Sequence, residues 1–172
     1  MNPQEISIPE VFSVKPFYKH GDTIILKQKY IDIEELWSCG NFSADIAHSQ
    51  NICINVFPWL SPKETVQKAL RLWKDNGLTE LNYYFKNRNR TSAKPVMLKY
   101  AAIYIQLSHW VNKEPVSALK NVSFTLSQFD YSPLNITERI EFILTSPDHY
   151  QAYKTLSQLY IESEKKWAVY MM

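Results

Sequence analysis

Cys39, His48 and Cys53, with Asp45 among them, are the residue types that bind a transition metal, and His109 beside Trp110 is a group that could move a proton near neutral pH. The metal set fails on spacing. Gaps of nine and five residues between Cys39, His48 and Cys53 match no tetrahedral zinc pattern, so the cysteines read as reduced apolar side chains and His48 as a loop histidine. His109 reads as a half-exposed helix histidine, because no nucleophile or carboxylate can be placed beside it. The chain has three glycines, Gly21, Gly40 and Gly77, too few for a phosphate-cradling loop or a nucleophile elbow. It also lacks Cys-x-x-Cys and His-Glu-x-x-His. No catalytic residue and no metal ligand are assigned, and no cofactor is expected.

Charge gives a second kind of chemistry. From Leu81 to Lys113 there are six basic residues (Lys86, Arg88, Arg90, Lys94, Lys99 and Lys113) and no carboxylate, whereas the rest of the chain holds 13 basic and 17 acidic residues. Such single-sign clustering can recruit phosphate, nucleic acid or an acidic protein surface. Lys86, Arg88 and Arg90 fall in the last turn of an expected helix, where cations offset the dipole without a ligand. Lys94 falls in the first turn of the next helix, where carboxylates are the favoured charge. Arg88, Arg90, Ser92 and Lys94, together with free amides at 92–94, are therefore the candidate anion site. Tyr84 and Phe85 share a helix face with Leu81 and point inward, which leaves Tyr83 as the ring available for stacking. Nucleic-acid binding through this cluster would be weak and salt-sensitive.

The third feature is aromatic. Trp37, Phe57, Trp59 and Trp167 are more than a small core usually absorbs, and Phe57-Pro58-Trp59 lies in an expected loop. Phe57 and Trp59 are the candidate partner-binding residues, for another protein or a second copy of the chain. The competing role is a loop that folds these rings over the helices.

The elements that must position these groups are helices. Scarce glycine argues against a turn-rich sheet protein. Ser61-Pro62-Lys63-Glu64 is a helix start, with Ala69, Leu70, Leu72 and Trp73 as its stripe and Asn76-Gly77 as a left-handed stop. A second helix is expected over about 79–89. Pro95 sets the start of a third at Ser92 or shortly after. That third helix, over 92–112, is apolar nearly all round and reads as the hub, with Lys99, Ala102, Gln106, His109 and Lys113 as its polar strip. Asn135 to Glu138 has capping-box spacing, Ser146-Pro147 opens the last helix, and 23–37 reads as an amphipathic helix.

The expected fold is all-α: a single compact bundle of about five to seven helices around the central apolar helix. One domain over 1–172 is expected, with 1–9 a poorly ordered N-terminal segment. The amino end lacks a signal-peptide pattern, and the most apolar window, 96–111, is too short and too interrupted to span a membrane. A cytoplasmic location without membrane contact is the expectation, and a non-catalytic interaction or scaffold role is the leading function.

Phe57-Pro58-Trp59, Tyr84-Phe85-Lys86-Asn87-Arg88, His109-Trp110 with Asn112 and Pro115-Val116, and Glu138-Arg139 through Pro147-Asp148-His149-Tyr150 resemble the YpoC-like family of Gram-positive bacteria. The likeness covers roughly Ile52 to Leu159. It implies a small helical domain and brings with it no activity, cofactor or catalytic residue.

Overall fold

The structure, a computed structural model, describes residues 2–172. It is mainly helical, with one small sheet. Strand β1 (Gln4–Ser7) pairs antiparallel with β2 (Thr23–Leu26), Gln4 opposite Leu26 and Ser7 opposite Thr23. Helices follow: α1 (Ile33–Cys39), α2 (Ser43–Ser49), α3 (Pro62–Leu72), α4 (Leu78–Lys86), α5 (Arg90–Trp110), α6 (Val122–Ser127), α7 (Ile136–Thr145) and α8 (Tyr150–Tyr170).

Two expectations near the amino end are corrected. Residues 4–7 are paired strand rather than a loose segment, and 23–26 is its partner rather than the start of a helix. The reason is alternation: Ile6, Ile24 and Leu26 turn inward while their neighbours stay exposed, a period of two that suits a half-buried strand. Helix α1 starts only after Asp32, whose side chain accepts from the Glu35 amide at 3.0 Å, as an N-cap should.

The stop expected at Gly77 is absent as well. Helices α3 and α4 are continuous through a π-helical stretch, Trp73–Gly77, and Gly77 has φ −58° and ψ −52°. Its glycine is required by packing. A Cβ there would lie 2.7 Å from Trp73 Cε3 and 2.9 Å from two ring atoms of Tyr100. The wide π turn and the missing side chain together let α5 approach this helix closely.

Helix α5 is the hub and runs from Arg90 to Trp110, two residues earlier at each end than 92–112. Asn89 caps it, its Oδ1 accepting from the Ser92 amide at 3.1 Å. Pro95 therefore sits beyond the first turn. The expected polar strip is open only at its ends, because Gln106 and His109 are buried. Helix α8 packs along α5 through hydroxyls as well as rings. Tyr160 donates to the Tyr100 carbonyl at 2.7 Å, and Tyr104 and Ser163 share a hydrogen bond at 2.8 Å. Trp73 stacks on Tyr160 with centroids 4.5 Å apart. Buried apolar residues from Ile6 to Trp167 form one contiguous cluster.

Candidate functional site

The basic cluster is shaped by the turn between α4 and α5. The Arg88 amide donates to the Phe85 carbonyl at 3.1 Å and the Asn89 amide to that of Tyr84 at 2.8 Å. This is the Schellman pattern of a helix stop, and it places Arg88 in the left-handed position with φ +54°. Glycine normally fills that position, because a side chain there costs about 1–2 kcal/mol. Arg88 is exposed and makes no ion pair among the described residues.

Arg90 is committed elsewhere. Its Nη2 lies 2.9 Å from Asp148 Oδ2, and its Nε donates to the Asp148 carbonyl at 3.1 Å. The Ser92 and Ala93 amides are both taken by Asn89. Lys94 is exposed one turn further on. The four sequence-derived residues therefore do not converge on 92–94. Arg88 and Arg90 instead face the start of α8, across an open cavity of about 430 Å³ lined by Phe85, Arg88, Arg90, His149, Tyr150 and Gln151. Sequence reasoning missed Asp148, His149 and Tyr150 as members of this site, since they are 58 or more positions away from Arg90 in the chain.

Phe57 and Trp59 have separate environments. Trp59 is 6% exposed and packs against His48, Phe57 and Trp110, at centroid distances of 5.0, 6.2 and 6.5 Å. The expectation of an open Trp59 is thus corrected: the loop folds its indole into the core. Phe57 remains 43% exposed. Beside it a groove of about 220 Å³ runs between Ile31–Ile33 and the start of α3. Ile31 is 92% exposed, and Leu60, on the same short turn as Trp59, is 70% exposed.

Asp45 is a group to which sequence reasoning gave no role. It is 0% exposed, and its carboxylate joins three parts of the chain. Oδ2 accepts from Gln106 Nε2 at 2.8 Å, while Oδ1 accepts from Trp110 Nε1 at 2.9 Å and from the Val116 amide at 2.7 Å. All three donors are neutral, so burial dominates and pushes its pKa up to about 6, with the hydrogen bonds opposing. A signal existed in the sequence. Asp45 is the only carboxylate between Glu35 and Glu64, and it lies between Ala44 and Ile46.

His109 is also inside. Its Nδ1 bonds the Ile105 carbonyl at 2.8 Å and its ring meets Phe129 edge-on at 5.2 Å. Burial holds its pKa below the usual histidine value, with the Ile105 hydrogen bond opposing. Among the described residues, no three His, Cys, Asp or Glu side chains are grouped to hold a metal.

A mainly helical domain with a buried polar junction and two separate surface features is the class of protein these observations define. The family model described as "YpoC-like protein" matches residues 63–172, and the chain belongs to that family. It is 27% identical over 113 residues to "Uncharacterized protein YpoC" of Bacillus subtilis (strain 168), an alignment covering 66% of this chain and 68% of that protein. No solved structure matches the chain. The matched span contains the Arg88 cavity and the hub helix but begins after Phe57-Pro58-Trp59 and after Asp45. No helix among the described residues is long and apolar enough to cross a membrane.

Proposed function

We propose that this chain is a non-catalytic interaction module that docks a protein partner or a second copy of itself along the edge carrying Phe57. The observation that supports this reading is the exposed pair Ile31 and Phe57 lining the groove at the start of α3, with exposed Leu60 next in the chain to Ser61, which also lines it. Rings and branched side chains left in water on a rigid support are the usual anchors of an interface. Trp59 serves this edge from below, fixing the turn on which Leu60 is displayed. The test is site-specific photo-crosslinking in cells from position 57, with a control at exposed Lys120. One defined adduct from position 57 and none from position 120 is expected. Equal, diffuse labelling from both positions removes the reading.

A second reading has its own observation. The cavity shared by Arg88, Arg90, His149 and Tyr150 presents cations and a ring to solvent, which suits a phosphate or a single-stranded nucleic acid held weakly. Arg88 is the residue to change, because Arg90 already bonds Asp148. Oligonucleotide binding at low salt should be lost in Arg88→Ala and should weaken with salt at a log–log slope of about −0.7 per phosphate neutralised. Absence of wild-type binding at low salt ends this reading.

A further inference from the structure

Gln106 leaves one atom unaccounted for. Its Nε2 donates to Asp45, but its Oε1 is buried without a hydrogen-bond partner. A buried amide oxygen without a partner is costly, and here it sits on the side chain that touches the buried carboxylate. The two ends of a glutamine amide exchange places by a half-turn about its last torsion, with little change of shape. That exchange has a chemical meaning beside an acid. A carboxylate accepts from Nε2, whereas a carboxylic acid must donate and needs Oε1 in the same place.

We propose that Asp45 and Gln106 form a protonation-coupled pair, in which the Gln106 amide reverses when Asp45 takes up a proton, so that the junction of α2, α5 and residue 116 stays closed in both states. The proton comes from solvent and goes onto Oδ2. The Gln106 amide turns, Oδ2–H donates to Oε1, and Nε2 becomes the unpartnered end. Oδ1 keeps both of its donors, Trp110 Nε1 and the Val116 amide, throughout. One amide end is unpaired in either state, so the balance between the states is set by the proton and not by a lost contact.

The surroundings leave this pair to act by itself. Helix α2 packs on α1 and β2. On α1, Glu35 is engaged by Lys27 at 2.7 Å and Cys39 approaches the Tyr30 hydroxyl at 3.9 Å, while Glu34 is the remaining carboxylate. Strand β2 has no titratable side chain. On α2 itself, His48 packs against Trp59. On α5, His109 faces Phe129, and the segment before Val116 holds Lys113 and Glu114, both exposed. None of these charges contributes to the shift at Asp45, which is set by burial against hydrogen bonds.

The experiment is an NMR titration of the full chain, following the Asp45 carboxyl carbon, the Gln106 side-chain amide and the Trp110 indole N–H. The Gln106 resonances should move with the same midpoint as Asp45, and the indole proton should stay protected from exchange through that midpoint. Gln106 resonances that stay fixed while Asp45 titrates overturn the pairing, and so does an indole proton that begins to exchange at the midpoint. In Asp45→Asn the amide should hold its acid-form position at every pH, and any titration of it counts against the proposal. In Gln106→Met both forms of Asp45 lose their partner at Oδ2, and because the bond to the ionised carboxylate is charge-assisted and the stronger of the two, the Asp45 midpoint should rise. An unchanged midpoint means that the amide is not a partner. The wild-type titration decides the matter even if a variant fails to fold.

Discussion

Asp45→Asn is the substitution whose effect is best fixed by the geometry. The asparagine Oδ1 can accept from Trp110 and Val116 as the carboxylate does, and its Nδ2 can donate to a reversed Gln106, so the contacts survive while the charge is removed. In the folded chain Asp45 moves from 3.8 to about 6, a difference worth about 3 kcal/mol. Its sign is opposite to that of most acidic residues. The folded state binds this proton more tightly than the unfolded state, so the stabilisation is fully present below about pH 4 and is lost as pH rises through about 6. Glu35 and Glu162 act the other way. Lys27 and Arg139 hold their carboxyls below the usual range, and their stabilisation is lost as pH falls. The wild-type curve mixes these opposing effects, but the difference between variant and wild type isolates Asp45. Urea unfolding followed by circular dichroism should show Asp45→Asn gaining about 2 kcal/mol on wild type between about pH 4.5 and 7. Parallel pH curves for the two proteins would instead place the ionised carboxylate in a site that solvates it fully.

Further outcomes follow from packing. Gly77→Ala should destabilise by about 1–2 kcal/mol, since overpacking against Trp73 and Tyr100 outweighs the gain in helix propensity. A raised melting temperature would show that those rings yield. Arg88→Gly should stabilise by up to about 1 kcal/mol by removing a side chain from a left-handed position, while abolishing any anion binding at the α8 cavity. Thermal unfolding and a low-salt binding assay read these two effects separately. Trp59→Ala should cost about 3–5 kcal/mol and Phe57→Ala less than about 1 kcal/mol. Equal losses in chemical denaturation would contradict their different burial.

Much of the helical frame was legible in the chain because its signals are local. Pro62 opens α3 as its type predicts, and Ala69, Leu70 and Trp73 of the expected stripe are buried, while Leu72 of the same stripe is half-buried. Gly77 was misread because one residue type serves two purposes. Positive φ and close approach both select glycine, and only the position of Tyr100 tells them apart. Strand β2 was misread because a four-residue stretch has too few residues to separate a period of two from the start of a helix.

The surface features divide along the same line. Arg88 and Arg90 could be singled out by charge, and Phe57 and Trp59 by type. Which of each pair stays free depended on partners distant in the chain, Asp148 for Arg90 and Trp110 for Trp59.

The sequence alone determined that this chain builds a mainly helical core around an apolar hub, that its positive charge is concentrated after Leu81, and that it lacks the usual catalytic motifs. Those are properties of composition and short-range order. Only the tertiary structure decided that Asp45 is buried against Gln106, Trp110 and Val116 and that Arg88 looks across a cavity to His149 and Tyr150. A side chain's solvation and hydrogen-bond partners are set by residues that folding brings to it, and those residues lie about 60 to 70 positions away.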